Sequence, residues 1–311
     1  MMTVQAKIQQ LRSLIRETLT PLINHDYWLL EVPYYTNIGD SVIWQGELDF
    51  LKSIPYTCKG MYSLESFQFP AIDSDDLIVF QGGGNFGDIW QKHHDFKMKV
   101  VECYPNNRFV FLPQTVCFQN EENIHKCADF LSHYDVVICA RDEVSYTLLQ
   151  NHFSNTIKMV PDMGFYMNMD GWKARNTGEK PLLLKRTDIE LQKSLNLSQI
   201  EAMDVDISDW PTMNNEGLLT RIMYKCKKRT LRTHFPWMMD VFCAYVYRPY
   251  LIRAGIRLLS VHSHIYSTRL HGAIMALLLD KKVTLLDNSY GKNSWFYHTW
   301  LSDCDDIDFV D

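Results

Sequence analysis

The chain has 311 residues, which suits one large α/β domain or two of about 150 residues each. It is 46% hydrophobic and 22% charged, a balance that buries a real core and excludes disordered, collagen-like and disulfide-scaffold classes. Lys and Arg number 31 against 37 Asp and Glu, so the net charge of -6 excludes a polycation that binds nucleic acid over its whole surface.

At the N-terminus, Val4, Ile8, Leu11, Ile15, Leu19 and Leu22 recur at steps of four and three. That spacing predicts an amphipathic helix ending near Pro21, not a signal peptide. Short apolar runs follow at Tyr27–Val32, Leu77–Phe80, Phe109–Leu112 and Val136–Cys139. Between them, Ser41–Ser53, Ile89–Cys103, Glu121–Ser132 and Glu143–His152 read as helices. Apolar strands alternating with helices predict a parallel sheet covered on both faces. A loop-rich break at Met163–Lys180, ending in Asn176-Thr-Gly-Glu-Lys-Pro181, then marks a domain junction. The expected division is 1–170 and 171–311. A second series follows, with strands at Pro181–Lys185, Leu258–Val261, Ile265–Ser267 and Val283–Leu286 and a helix at Ala273–Leu279. The predicted architecture is two Rossmann-like α/β halves facing a cleft.

No stretch reaches the ~18 apolar residues of a membrane-spanning helix. The eight cysteines form no C-x-x-C pair and read as reduced, mostly buried thiols of a cytoplasmic protein. Acidic groups such as Asp73-Ser-Asp-Asp76, Asp204-Val-Asp206 and Asp303-Cys-Asp-Asp306 lie in polar stretches and read as solvated acids, so no metal is expected. From Arg221 to Arg257 there are nine basic residues and one acid, Asp240, interleaved with Phe235, Trp237, Met238, Met239, Phe242, Tyr245, Tyr247 and Tyr250. Two readings stand side by side: an interfacial element with charges for anionic lipid, or a helix with a solvated basic end and a buried aromatic face.

Candidate binding residues cluster where strands hand over to helices. Gly82, Gly84 and Gly87 in Gln81-Gly-Gly-Gly-Asn-Phe-Gly-Asp88 satisfy G-x-G-x-x-G after a strand. The ribose-binding acid of a dinucleotide site is missing, since the next strand runs into Gln114, and Asp88 is a poor neighbour for pyrophosphate. A hydroxylated ligand suits Gly83, Gly84, Asn85 and Asp88 better. Asn37-Ile-Gly-Asp40 also opens a helix, where Asn37 and Asp40 either cap it or join Gly39 in binding. Ser267-Thr-Arg-Leu-His-Gly272 delivers Arg269 and His271 to the first turn of an apolar helix. A guanidinium fork, free N–H groups and an imidazole there suit an anionic substrate and an acid catalyst. Arg141 and Lys292 follow two other strands and add cations at the same kind of edge.

Taken in order, N-I-G-D (37–40), Q-G-G-G-N-F-G-D (81–88), A-R-D-E-V-S (140–145), V-P-D (160–162), S-T-R-L-H-G-A-I (267–274) and N-S-Y-G-K-N (288–293) resemble the polysaccharide pyruvyl transferase family. The resemblance implies a glycosyltransferase-B-like pair of Rossmann-type domains. It implies transfer of pyruvate from phosphoenolpyruvate onto two hydroxyls of one sugar, as a cyclic ketal, in cell-surface polysaccharide synthesis. Carried over, Arg269 and His271 match the phosphoenolpyruvate-binding pair, with His271 as acid; Leu270, Gly272, Arg141 and Lys292 complete the donor side. Asn37, Gly39, Gly83, Gly84 and Asn85 are expected on the acceptor side, with Asp40 or Asp88 as base. No redox cofactor or metal is required. A lipid-linked oligosaccharide at the inner face of a membrane would explain the basic aromatic stretch. The rival reading is an inverting glycosyltransferase using a nucleotide sugar.

Overall fold

The computed structural model describes residues 2–172, 178–188, 191, 197–214, 217–230, 237–288 and 291–310. The chain divides into two compact units. The N-terminal unit holds residues 12–34 and 43–166; the C-terminal unit holds 1–11, 35–42 and 167–311.

The first helices are α1 (Val4–Leu19) and α2 (Ile38–Leu51). The sheet of the N-terminal unit contains β1 (Tyr27–Leu30), β2 (Cys58–Tyr62), β3 (Leu77–Phe80), β4 (Gly83–Gly87), β5 (Arg108–Cys117), β6 (Val136–Ala140) and β7 (Thr156–Met159). Its order is β2-β1-β3-β5-β6-β7, with β4 against β5 and every pairing parallel. Between the strands lie α3 (Gln91–Cys103), α4 (Glu121–Ser132) and α5 (Glu143–His152).

Every residue of β3 and β6 is buried, which is why these strands read as unbroken apolar runs and not as alternating ones. Stacked rings fill the core: Phe111 meets Phe80 at 4.9 Å and Phe86 at 5.4 Å, both edge to face. The stripe expected on α1 is buried along its whole length, from Val4 through Leu19 to Leu22.

The C-terminal unit adds β8 (Leu182–Leu184), β9 (Asp206–Ser208), β10 (His264–Ser267), β11 (Lys282–Leu286) and β12 (Ile307–Val310). They form a second, wholly parallel sheet in the order β12-β11-β10-β8-β9. Its helices are α6 (Ser198–Glu201), α7 (Pro211–Asn214), α8 (Leu218–Thr230), α9 (Trp237–Phe242), α10 (Arg248–Ser260), α11 (Leu270–Leu278) and α12 (Lys292–Trp300), with a π-helical turn at Cys243–Tyr247.

Several expectations need correction. Leu258–Val261 is no strand: it closes α10, whose Leu251, Ile252, Ile256 and Leu259 are buried at helical spacing. The glycine-rich stretch is more than a turn, because Gly83–Gly87 forms the short strand β4. Gly83 and Gly87 take φ of 133 and 130 there, values a side chain would resist. Only half of the cysteines are buried, and Cys58 and Cys103 are exposed. Asp76 is a buried acid and no solvated one; it accepts from Trp28 Nε1 at 3.1 Å and pairs with Lys59 at 2.7 Å. The expected junction lies in part outside the described residues, at 173–177. Among the described residues, no helix is long and apolar enough to cross a membrane.

Because Phe111 fills the centre of the aromatic core, Phe111→Ala is expected to lower unfolding stability by about 3–5 kcal/mol. Urea titration would show this as a lower midpoint with an unchanged slope.

Candidate functional site

In open parallel sheets, ligands bind beyond the carboxyl ends of the strands, where the chain turns back into helices. Each unit has its own set of polar residues at that edge.

In the C-terminal unit, Arg269 caps α11 from an extended conformation, and no side chain closes the helix start. The N–H groups of Gly272 and Ala273 bond to Arg269 O at 3.0 and 3.1 Å, and the positive end of the helix dipole lies at this turn. His271 lies in this first turn, half-buried. The Asn37–Asp40 turn packs against it: an ideal β-carbon on Gly39 would lie 2.8 Å from His271 Nδ1 and 3.0 Å from its Cβ. Only glycine leaves room for the ring. The structure thus joins two motifs far apart in the sequence.

Asn37 caps α2, its side-chain oxygen accepting from Gly39 N at 3.0 Å, while its amide donates to Asp40 at 2.8 Å. Thr212 donates to Thr36 O at 2.7 Å and so ties this turn to α7. Gly272 meets protein: a β-carbon there would lie 2.3 Å from Leu184 and 2.6 Å from Ser267 Oγ, so this glycine serves helix-on-sheet packing. Leu270 is buried at the start of α11.

Arg269 is 5% exposed and firmly held. Its Nε donates to Asp209 Oδ1 at 2.5 Å and its Nη2 to Asp209 Oδ2 at 2.8 Å, a two-pronged fit of guanidinium to carboxylate. Asp209, just beyond β9, is fully buried and also accepts from Thr187 N, Thr187 Oγ1 and Trp210 N. Asp188 joins Arg269 at 3.1 Å and Arg186 at 2.7 Å, and its side chain is 29% exposed. Two guanidinium groups and two carboxylates thus balance at this edge. Lys292 opens α12, its backbone N–H bonded to Asn288 Oδ1 at 2.8 Å. Asn293 donates to Thr268 O and Leu286 O and so fastens α12 to the ends of β10 and β11. Ser289 and Tyr290 of that motif lie outside the described residues.

In the N-terminal unit, Arg141 follows β6 and is fully buried. It donates through Nη1 to Asp162 at 2.6 Å and through Nε to Thr115 Oγ1 at 2.9 Å. The A-R-D and V-P-D motifs meet in this ion pair, and Thr115 and Asp142 continue the network at 2.7 Å. Gly84 and Asn85 are half-buried in β4, and Gly83 is buried. Asp88 braces the entry to α4, accepting from Gln119 N at 2.6 Å, Asn120 N at 3.2 Å and Asn123 Nδ2 at 2.9 Å. Burial pushes its carboxyl up, but these donors outweigh burial and hold it below the ordinary 3.8. Asp188, Asp209, Thr115, Asp162 and Asn293 were absent from the sequence-based site.

The stretch from Arg221 to Arg257 lies wholly in the C-terminal unit. Trp237, Met238, Val241 and Tyr245 form one exposed stripe, whereas Met239, Cys243, Ala244 and Tyr247 point inward. On α8, which packs against α9, Arg221, Lys225 and Lys228 are exposed. Arg232 and Phe235 lie outside the described residues, as does the side chain of Arg229.

Two parallel α/β sheets with charged and amide groups gathered at their carboxyl ends define a ligand-handling protein of the Rossmann-like type. More specifically, the chain belongs to the polysaccharide pyruvyl transferase family, whose pattern matches residues 37–290. It is 31% identical over 307 residues to EpsO of Bacillus subtilis (strain 168), a protein given a pyruvyl transferase name, covering 97% of this chain and 91% of that one. Pyruvyl transferase 1 of Schizosaccharomyces pombe is 23% identical, covering 89% of this chain and 70% of its own. A solved structure, the functionally uncharacterised KP1_0663 from Klebsiella pneumoniae, shares the fold at a TM-score of 0.61 and 20% identity, over 100% of both chains. The protein is therefore a pyruvyltransferase of polysaccharide synthesis, with a polysaccharide as its class of acceptor.

Two outcomes test this geometry. Gly39→Ala is expected to leave the fold intact, shift the His271 ring resonances and cut pyruvyl transfer at least tenfold, since a displacement of about 1 Å costs on the order of 100-fold. Asp88→Asn is expected to lower the melting temperature at pH 7. Because the folded carboxyl titrates below 3.8, the stabilisation is complete above that value. It is lost as pH falls through the folded pKa, so the two melting temperatures should converge in stronger acid.

Proposed function

We propose that the donor is phosphoenolpyruvate, that the C-terminal unit binds it, and that the product is a cyclic ketal of pyruvate with two hydroxyls of one sugar. A glycosyltransferase-B-like use of the two units, donor on one and acceptor on the other, is part of this reading. The observation that carries it is the pairing of His271 with the open start of α11, beside the Asn37–Asp40 turn. Phosphoenolpyruvate brings a phosphate and a carboxylate, which the positive end of the α11 dipole and the Lys292 cation would meet. Arg269 is locked by Asp209 on one side, so the donor would displace Asp188, the more exposed of its two partners. Arg141, enclosed by Asp162 and Thr115, contributes by fixing the ends of β5 and β6.

In the chemistry proposed, His271 gives a proton to the methylene carbon, and the enol double bond supplies the pair for the new C–H bond. C2 becomes electrophilic and a sugar hydroxyl attacks it, losing its proton to a base. Asp40, held by Asn37 in the turn that packs on His271, suits that role; Asp88 braces the entry to α4 in the N-terminal unit. Phosphate leaves with the C2–O pair, and the second hydroxyl closes the ring. No net oxidation occurs, so the sequence of steps calls for no redox cofactor, and no metal is required to balance it.

The exposed stripe of Trp237, Met238, Val241 and Tyr245 beside Arg221, Lys225 and Lys228 supports contact with an anionic lipid surface. A lipid-linked oligosaccharide acceptor on the cytoplasmic face of a membrane fits that surface.

The direct test is phosphate release from phosphoenolpyruvate across lipid-linked sugars, with mass spectrometry of the product. A mass gain equal to one pyruvate ketal is expected, and nucleotide-sugar consumption without it would overturn the reading. His271→Ala should abolish turnover while donor binding persists. Asp188→Asn should lower the Michaelis constant for phosphoenolpyruvate, and Arg269→Ala should raise it; an unchanged constant in Arg269→Ala would remove that residue from the donor site.

A further inference from the structure

The C-terminal unit carries one more guanidinium, which the steps above do not use. Arg186 lies two residues beyond β8, with its side chain 9% exposed. Its Nε donates to Asp188 Oδ1 at 2.7 Å and its Nη2 to Asp188 Oδ2 at 3.1 Å. Arg269, in the same unit, donates from its own Nη2 to that same Oδ2, also at 3.1 Å. A single carboxylate oxygen therefore lies equally far from two guanidinium groups.

The backbone fixes this stretch on both sides of the first arginine. Arg186 N donates to Thr268 Oγ1 at 2.9 Å, and Thr187 N to Asp209 Oδ2 at 2.9 Å. Asp188 is the first residue past these two ties. The two carboxylates of the cluster differ in burial. Asp209 is fully buried and accepts from Arg269, Thr187 and Trp210, so releasing it would strand a charge away from water. Asp188 has 29% of its side chain exposed, so water can take over its lone pairs when it turns away. Arg186, Arg269 and Asp209 together then carry one net positive charge around the point that Oδ2 has left. Two like charges that share one neighbour repel unless an anion lies between them. A carboxylate has two oxygens and is satisfied by a single guanidinium fork. A phosphate monoester has three free oxygens and up to two charges, which match two forks.

We propose that Arg186 and Arg269 form a clamp for the phosphate group of the donor, with Asp188 as its built-in occupant until phosphate displaces it. The Nε–Nη2 edge of Arg186 that holds Asp188 is the edge that phosphate takes. The inference rests on phosphoenolpyruvate as donor; it adds which anionic group of that molecule lies here and a residue that selects it. The clamp also binds inorganic phosphate, so that product competes with the donor.

The test uses the full chain, with inorganic phosphate as the binding probe in calorimetry and phosphoenolpyruvate consumption across lipid-linked sugars as the activity readout. Arg186→Gln is expected to weaken phosphate binding about tenfold or more, the span of lost hydrogen bonds to a charged group. It should raise the Michaelis constant for phosphoenolpyruvate more than it lowers kcat. Asp188→Asn, which removes the internal competitor, should tighten phosphate binding severalfold. A merely structural Arg186, needed only to hold Asp188, would have no further effect once Asp188→Asn is in place. The clamp instead predicts that Arg186→Gln still weakens phosphate about tenfold in that background. Unchanged phosphate affinity there overturns the proposal, as does a wild-type chain that binds no phosphate. A raised Michaelis constant with phosphate affinity intact would put the donor carboxylate at Arg186 and overturn it too. If Arg186→Gln fails to fold by circular dichroism, Asp188→Asn decides: tighter phosphate binding supports the clamp, and equal or weaker binding overturns it. A chain that binds phosphate in this pattern yet consumes no phosphoenolpyruvate with any acceptor would sink the donor reading and leave the clamp standing.

Discussion

A hydrogen atom at Gly39, where any other residue would carry a β-carbon, allows the Asn37–Asp40 turn to close on His271. The rest of the C-terminal site depends on that approach. The ring is held at the open start of α11, and the same turn presents Asp40 through its bond to Asn37. Thr212 and α7 fix the turn from outside. Acid and base candidates are thereby placed by backbone packing, which is more rigid than placement by long side chains.

The arginines act differently from what their position after strands suggests. Arg269 and Arg141 look like free cations when read as letters, yet each is bound to a buried carboxylate, Asp209 or Asp162. Pairing is what permits a guanidinium to sit in a water-poor place at all. The consequence for function is a site close to charge balance until a ligand arrives. In the proposed reading, an anionic donor would compete with Asp188 for Arg269, which would favour ligands with a strong, directional anionic group.

Much of the fold was legible because burial on both faces writes strands as unbroken apolar runs, as in Leu77–Phe80 and Val136–Ala140. The α1 stripe was equally plain. Strands of three residues, such as Asp206–Ser208, carry no period to detect, and with β9 unseen its follower Asp209 could not be placed beside Arg269. The Leu258–Val261 run misled because an apolar tail on a helix has the same letters as a strand. The motif residues His271, Arg269 and Asn37 were singled out from strand-to-helix handovers, which local sequence does record. Their partners were not, since an ion pair between residues 209 and 269, or a contact between 39 and 271, leaves no local trace.

Proton delivery to a three-carbon enol by the imidazole that Gly39 accommodates is the central claim, and isotope labelling reads it directly. When the reaction runs in deuterium oxide, the ketal methyl group should carry one deuterium from solvent, and His271→Gln should stop that labelling along with product formation. Undiminished labelling and product in His271→Gln would contradict the account.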